Sequence, residues 1–191
     1  MVKSGKSVAL FGGSFDPPHL GHRRILESLL ALPEIDRVIV MPAWLNPFKE
    51  RSHASAEQRL TWCRSVLDLP GVEISDWEIR QKRPVYTIET WETLRREGLP
   101  LRYLVIGSDN LPEIRKWKDF RRLDDEAVWI VATRKGSHPD LNPLSRARLL
   151  PVDVPVSSTM IRRGEGVEYL DPRIRDEVLA TYHLNEPKEK Y

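Results

Sequence analysis

Apolar runs of strand length alternate with amphipathic segments along most of the chain. The runs predicted to be strands are rich in aliphatic and β-branched residues, and they are 7–11, 37–41, 72–74, 101–106 and 128–133. The segments with apolar residues at helical spacing are 19–32, 56–69, 86–97, 158–163 and 172–183. Strands that are apolar on both faces and separated by helices form parallel sheets with helices on both sides. The pattern therefore predicts an α/β fold, a Rossmann-like doubly wound and mostly parallel sheet.

Local signals support several of the helix ends. Ser55 followed by Gln58 is typical of a capping box at the start of helix 56–69. Gly98 closes helix 86–97 because glycine readily adopts the left-handed conformation beyond a helix end. Cys63 shares an apolar helix face with Leu60, and we expect it to act as a packing residue.

The length of 191 residues fits one domain. We expect a single unit over 1–191, with an α/β core over about 7–155, a short helical C-terminal part over about 156–184 and a tail over 185–191. No internal repeat or linker divides the sequence.

The composition argues against several classes of partner. Lys plus Arg is 30 and Asp plus Glu is 28, so the net charge of +2 gives no general attraction to nucleic acid or to an anionic membrane. The longest apolar run, 38–45, contains Pro42 and is too short for a membrane span. The single cysteine allows no internal disulfide, which favours a cytoplasmic location.

The most informative segment is GGSFDPPHLGH at 12–22, between the first strand and the first helix. Open α/β sheets bind ligands at the carboxyl ends of their strands, where this segment lies. Gly12 and Gly13 let backbone N–H groups approach an anion, and the helix start adds free N–H donors. His19 and His22 are three apart, so both rings can lie over the same phosphate, with room left by Gly21. A glycine turn with surface histidines is the plainer interpretation, and a zinc pair lacks a third ligand.

A second candidate anion site is VSSTMIR at 156–162. The hydroxyl residues Ser157, Ser158 and Thr159 read as a cap before a short helix. Arg162, one turn into that helix, can add a guanidinium fork to the same phosphate. Taken alone this cluster is weak evidence, because hydroxyl caps occur at most helices.

Together the two motifs carry a family resemblance. Residues 13–22 resemble the GxFDPxHxGH signature of the HxGH nucleotidyltransferase superfamily, and 156–162 resemble its ISSTxIR signature. The resemblance implies attack of a phosphate or similar oxygen on the α-phosphorus of a nucleoside triphosphate, with Mg²⁺ accompanying ATP. It implies that His19, His22 and Arg162 are catalytic. The residues that it implies for ATP binding in these motifs are Gly12, Gly13, Ser14, Phe15, Asp16, Gly21, Ser157, Ser158 and Thr159.

Further segments resemble those of the nicotinate mononucleotide adenylyltransferase family. YTIET at 86–90 is similar to its YTxxTL segment, IGSDNL at 106–111 to its IGxDxL segment, and Trp117 to the tryptophan that follows. This implies Gly107 and Asp109 at the ATP site, and Tyr86, Thr87 and Trp117 at a nicotinate mononucleotide site. Donors around Thr87 suit a carboxylate, and the face of Trp117 suits a pyridine ring.

The loop PAWLNPFK at 42–49 resembles a Pro-rich loop of that family, with Lys49 as a substrate contact. Two positions depart from the pattern, since Phe48 stands where a histidine is usual and Ser14 where a threonine is usual. We expect Trp44 and Phe48 to be exposed, as part of a lid or of a contact in a possible homo-oligomer.

Some alternatives stay open. Another member of the superfamily would use nicotinamide mononucleotide, phosphopantetheine or glycerol phosphate as acceptor, and a non-catalytic nucleotide sensor would keep the same scaffold. The sequence favours ATP and nicotinate mononucleotide as the small-molecule partners.

Overall fold

The strands form one parallel sheet, and the direction in which successive strands are added reverses at its centre. A computed structural model describes residues 7–134 and 137–184, and in them the strands are β1 (Val8–Gly13), β2 (Arg37–Pro42), β3 (Val72–Ile74), β4 (Leu101–Gly107), β5 (Val128–Arg134) and β6 (Ala147–Val152). Their order is β3-β2-β1-β4-β5-β6, and every neighbouring pair is parallel. The chain winds outward from β1 to β3, then returns to β4 and winds the other way, so a crevice opens between the ends of β1 and β4.

Helices cover both faces of the sheet. They are α1 (Leu20–Leu30), α2 (Ala56–Val66), α3 (Trp77–Arg80), α4 (Thr87–Arg96), α5 (Phe120–Glu126), α6 (Ser158–Arg162) and α7 (Pro172–Thr181), with 3₁₀ helices at Ser108–Lys116 and Val167–Tyr169. The predicted α/β doubly wound fold with a helical C-terminal part is confirmed. The predicted tail, 185–191, lies outside the described residues.

Alternation along the central strands supplies two hydrophobic cores. Ala9 and Phe11 of β1 pack into the core shared with α1, α2 and α7, whereas Val8 and Leu10 pack into the core shared with α4 and α5. A strand that contributes side chains to both cores must be apolar at every position, which is why β1 appears in the sequence as an uninterrupted apolar run.

The predicted helix signals have their expected geometry. Ser55 Oγ accepts a hydrogen bond from the Gln58 N–H at 3.1 Å, and Gly98 has φ of +83°. Cys63 is fully buried, as its predicted packing role requires. The observed helices end one to three residues inside the predicted ranges, as expected where fraying ends are decided by local caps.

The sequence pattern did not predict β6. Among the described residues this strand pairs only with β5, so it lies at the edge of the sheet and tolerates Pro151 next to its last residue. Arg148, in the middle of β6, lies 5.4 Å from the ring centroid of Tyr103 and pairs with Glu34. Within the described ranges, every helix falls short of the length and apolar content that a membrane span needs.

Candidate active site

A cavity of about 920 Å³ opens at the carboxyl ends of β1 and β4. Every site residue that the sequence predicted lines it. They are Gly12, Gly13, Ser14, Phe15, Asp16, His19, Gly21, His22, Lys49, Tyr86, Thr87, Gly107, Asp109, Trp117, Ser157, Ser158, Thr159 and Arg162. The fold thus brings residues from both ends of the chain to the crevice where doubly wound sheets bind ligands.

The loop after β1 is shaped by close packing. Phe15 has φ of +48°, an unusual conformation for a residue with a side chain, and its ring is buried edge-on against Phe11 at 5.4 Å. A Cβ on Gly21 would lie 3.0 Å from the His19 ring and 3.3 Å from Val156. Gly21 therefore lets the His19 ring and the second motif approach α1 closely.

The two histidines form a stacked pair at the start of α1. Their ring centroids are 3.8 Å apart with 27° between the ring planes. The Nδ1 atom of His22 accepts a hydrogen bond from the His19 backbone N–H at 3.2 Å. Burial lowers the pKa of His22 to about 3, so its ring is neutral near pH 7. Because Nδ1 is the acceptor, the proton of the neutral ring is assigned to Nε2, which leaves Nε2–H as a donor.

The second motif is tied to the first by direct hydrogen bonds. Ser157 Oγ accepts from the Met160 N–H at 3.2 Å, which confirms it as the N-cap of α6. Ser158 Oγ donates to the Pro17 carbonyl oxygen at 2.8 Å. Arg162 donates to the Asp16 carbonyl oxygen, and also to Thr159 Oγ1 at 3.1 Å.

Asp16 lines the cavity, but its carboxylate is held by the protein itself. It accepts from the backbone N–H groups of His53 at 2.9 Å and Ala54 at 3.1 Å, and from the Tyr182 hydroxyl at 2.7 Å. Burial alone would raise the pKa of Asp16, but these hydrogen bonds and the nearby Arg162 hold it below its usual value. The geometry makes this carboxylate an anchor for the loop between β1 and α1, residues 14–19, which we call the phosphate loop after its predicted ligand.

Arg59 of α2 is a site-building residue that the sequence analysis missed. It is fully buried, and its guanidinium donates to the carbonyl oxygens of Ser14 at 2.5 Å, Trp44 at 2.8 Å and Ala54 at 3.3 Å. A signal was present, because Arg59 lies on the same buried helix face as Cys63. A charged residue on such a face needs partners in the interior.

The Pro-rich loop reaches the phosphate loop through Lys49, whose Nζ donates to Ser14 Oγ at 3.1 Å. Phe48, beside it, has 57% of its surface exposed, as predicted. The prediction for Trp44 was wrong, because this residue is partly buried against Ala56, Leu60 and Ile79.

A second group of residues in the cavity wall comes from α3, from the start of α4 and from the segment around Trp117. Thr87 begins α4, and Trp117 contacts Trp129 edge-on at 6.2 Å. The ammonium group of Lys118 lies 4.8 Å from the ring centroid of Tyr86. Glu78 of α3, which the sequence analysis also missed, is a buried carboxyl in this wall. These residues therefore offer a helix start, an aromatic face and two ionisable groups.

Asp109 follows β4 at the rim of the cavity and is exposed. A Cβ on Gly107 would lie 2.4 Å from Asp109 Oδ1, so a side chain at position 107 would displace this carboxylate. In the described residues, no group of three or more His, Cys, Asp or Glu side chains is arranged to hold a metal ion.

Comparison with known proteins agrees with this geometry. The sequence profile of the cytidylyltransferase-like family matches residues 10–164. A protein of Sulfurovum sp. (strain NBC37-1), named probable nicotinate-nucleotide adenylyltransferase, is 43% identical over 183 residues, which cover 95% of this chain and 97% of that protein. The chain belongs to the cytidylyltransferase-like family and, within it, to the nicotinate-nucleotide adenylyltransferases.

Other members of the nicotinate-nucleotide adenylyltransferase family are also similar over nearly their whole length. A Campylobacter jejuni (strain RM1221) protein with the same name is 38% identical over 177 residues, covering 92% of this chain and 96% of that protein. The structure of the Plasmodium falciparum nicotinic acid mononucleotide adenylyltransferase complexed with NaAD superposes with a TM-score of 0.77 at 19% identity, covering 94% of this chain and 97% of that one. The fold is therefore shared well beyond the range of obvious sequence similarity.

Proposed function

We propose that this protein transfers the adenylyl group of ATP to nicotinate mononucleotide, giving deamido-NAD and pyrophosphate, in NAD synthesis. The observation that carries the proposal is the shared cavity, because residues of both motifs, 12–22 and 156–162, line it together with Thr87 and Trp117. Membership of the nicotinate-nucleotide adenylyltransferase family supports the same reaction. The single, buried Cys63 is consistent with action in the cytoplasm.

The proposed chemistry is one in-line displacement. A phosphate oxygen of the mononucleotide forms a bond to the α-phosphorus of ATP, while the bond from that phosphorus to the bridging oxygen breaks and pyrophosphate leaves with the electron pair. The attacking phosphate is already anionic near pH 7, so the step needs neither a general base nor a protein nucleophile. Catalysis then rests on positioning and on stabilising the charge of the transferred group.

The histidine pair is assigned to the α-phosphate. The Nε2–H of neutral His22 donates a hydrogen bond to a non-bridging oxygen, and the stacked His19 lies beside it at the start of α1. A neutral donor suits this task, because it stabilises the developing charge without a proton transfer. Backbone N–H groups of Gly12 and Gly13, which the structure places at the end of β1 and not in the predicted turn, and the positive end of α1 add to the same electric field.

The second motif is assigned to the pyrophosphate end. Hydrogen bonds to the Asp16 carbonyl and to Thr159 fix the guanidinium of Arg162 before the nucleotide arrives, and its remaining N–H groups serve the β- and γ-phosphates. Lys49, held at Ser14, adds a second cation. Asp109, an exposed carboxylate that lines the cavity, would be available to Mg²⁺ bound to ATP, and this ion would neutralise triphosphate charge.

The acceptor is assigned to the second group of residues in the cavity wall. The first-turn N–H groups of α4 at Thr87 suit the nicotinate carboxylate, because helix N-termini favour anions. Trp117, which stays partly exposed, offers a face to the pyridinium ring.

A comparison of acceptors tests the proposal. Initial rates of pyrophosphate release from MgATP are measured with nicotinate mononucleotide, nicotinamide mononucleotide and phosphopantetheine. We expect the highest kcat/KM with nicotinate mononucleotide. A higher kcat/KM with nicotinamide mononucleotide or phosphopantetheine would reassign the acceptor. If the protein binds ATP but turns over none of the three acceptors, it is a sensor.

A further inference from the structure

Glu78 is a buried carboxyl that the proposed chemistry does not use. It lies in α3 with 7% of its surface exposed, and it lines the same cavity as Val85, Tyr86 and Thr87. Because Glu78 is hydrogen-bonded to Thr90 of α4, it belongs to the same part of the cavity wall as the start of that helix at Thr87.

One of its two oxygens is held by the protein. Thr90, which is 1% exposed, donates its hydroxyl to Glu78 Oε1 at 2.6 Å. No hydrogen bond from the described residues reaches Oε2, and Oε2 is not among the fully buried atoms that lack a partner. This second oxygen is therefore open to the cavity, while Thr90 fixes the plane of the carboxyl group.

The surroundings favour the neutral form of the carboxyl group. Burial raises the pKa of Glu78 to about 7, the Thr90 hydrogen bond lowers it, and the like charge of Glu89 in α4 adds to the rise. On α3 itself, Arg80 pairs with Asp76 at 3.0 Å.

The other neighbours of Glu78 do not supply a counter-charge. Strand β2, which α3 contacts, contributes the apolar Ile39 and Met41 to this side of the sheet. The charge of Lys118 lowers the pKa of Glu89, and Glu89 is itself paired with Arg83 at 2.8 Å. A proton shared with a ligand is then the direct way to satisfy the open oxygen of Glu78.

We propose that Glu78 determines acceptor specificity, because its protonated carboxyl group donates a hydrogen bond from the open oxygen to the carboxylate of nicotinate mononucleotide. This inference rests on the proposed function and names a contact that the proposed function does not include. The ionised carboxylate would repel that acceptor, and it would instead accept from the amide of nicotinamide mononucleotide. The preference between the two acceptors should therefore depend on the protonation of one residue.

The preference for the nicotinate acceptor should fall as the pH rises. Raising the pH through about 7 ionises Glu78, so kcat/KM for the nicotinate acceptor falls relative to kcat/KM for the nicotinamide acceptor. The ratio of the two values isolates this effect, because both acceptors carry the same ribose phosphate and meet the same ATP site.

The experiment measures this ratio between about pH 6 and 9 for the wild type, for Glu78→Gln and for the matched control Glu92→Gln. Glu92 lies on α4 and pairs with Arg122. We expect the ratio to fall about tenfold or more in the wild type and the control, and to vary by less than about twofold in Glu78→Gln. A ratio independent of pH in the wild type, or the wild-type slope in Glu78→Gln, would overturn the inference while leaving adenylyl transfer intact.

Binding calorimetry of the wild type gives a readout that depends on neither the variant nor turnover. Titrations at about pH 8 in two buffers of different ionisation enthalpy report the protons taken up. We expect nicotinate mononucleotide to bind with more proton uptake than nicotinamide mononucleotide. Equal uptake would contradict the assignment of Glu78, whereas absence of dinucleotide synthesis with both acceptors would overturn the proposed function and this inference together.

Discussion

Arg162 donates a hydrogen bond to the backbone carbonyl oxygen of Asp16, 146 positions earlier in the chain. Ser158 makes a parallel bond to the carbonyl oxygen of Pro17. Each motif alone is an ordinary helix start with nearby polar side chains. Joined in this way, they form one rigid support whose donors are oriented before a nucleotide binds, and such preorganisation is a main source of catalytic stabilisation.

Replacing Arg162 should therefore impair the chemical step. We expect Arg162→Ala to lower kcat about 10²- to 10³-fold, because it removes a fixed guanidinium from the leaving group and releases α6 from the phosphate loop. Arg162→Lys should recover only part of the loss, since an ammonium group cannot form the fork. Arg163→Ala, at the next and exposed position, is the matched control. Steady-state kinetics with MgATP check the comparison, and a kcat for Arg162→Ala within about threefold of the control would refute the role.

His22 should make the folded state sensitive to mild acid. Its pKa is about 3 in the folded protein and about 6.5 in the unfolded chain, so between these values the unfolded chain binds the extra proton. The contribution is complete above about pH 6.5 and is lost as the pH falls towards 3. We expect the free energy of unfolding of the wild type to drop by about 1 to 2 kcal/mol more than that of His22→Gln between pH 7 and 5. Urea denaturation at the two pH values measures this difference, and parallel losses in both proteins would show that His22 is protonated in the fold.

Arg59 should matter for stability and for activity together. Truncation to alanine removes a fully buried guanidinium that donates to three backbone carbonyl oxygens, and we expect Arg59→Ala to cost about 3 to 5 kcal/mol of folding free energy. The exposed Arg64 of the same helix, paired with Asp76, is the matched control, and Arg64→Ala should cost about 0.5 kcal/mol or less.

Arg59→Lys addresses the case in which the alanine variant does not fold. It keeps the buried charge but cannot reach all three carbonyl oxygens, so we expect it to fold with a raised KM for ATP. Thermal unfolding and steady-state kinetics provide the two readouts. Wild-type values of both in Arg59→Lys would mean that the guanidinium does not shape the loop at Ser14.

Trp117 should act on the acceptor rather than on ATP. We expect Trp117→Ala to raise KM for nicotinate mononucleotide about tenfold, while KM for ATP stays near the wild-type value. Trp117→Phe keeps an aromatic face against Trp129 and should restore most of the affinity. An unchanged acceptor KM in Trp117→Ala would remove this residue from the binding site.

Uninterrupted apolar runs made most of the fold predictable. β1, β2, β4 and β5 are buried on both faces, so their sequences carry a strong and simple signal. β6 carries a weaker signal, because an edge strand can include Arg148 and Pro151 and still pair along one side. Its position depends on contacts with β5 and Tyr103, which a local pattern does not contain.

The site residues likewise differ in whether a local sequence pattern reveals them. His19 and His22 lie in one short contiguous motif and Arg162 in another, so each could be predicted as part of an anion site, and the family resemblance implied that both sites hold one nucleotide. Arg59 and Glu78 lie outside those motifs. The packing of α2 places Arg59 against the Ser14 carbonyl oxygen and that of α3 places Glu78 in the cavity wall, so their roles emerge from burial and hydrogen-bond partners alone. The near-neutral charge of the chain fits the proposed function, in which the positive charge that binds phosphate is concentrated at a few fixed side chains and helix starts.

The fate of isotopic label from ATP tests the central claim most directly. The protein is incubated with nicotinate mononucleotide, Mg²⁺ and ATP labelled at either the α- or the γ-phosphate, and the products are separated. Adenylyl transfer predicts that all of the α-label enters deamido-NAD, that all of the γ-label leaves in pyrophosphate, and that neither label stays on the protein. Recovery of the α-label as free AMP, or transfer of the γ-label to the mononucleotide, would contradict the account.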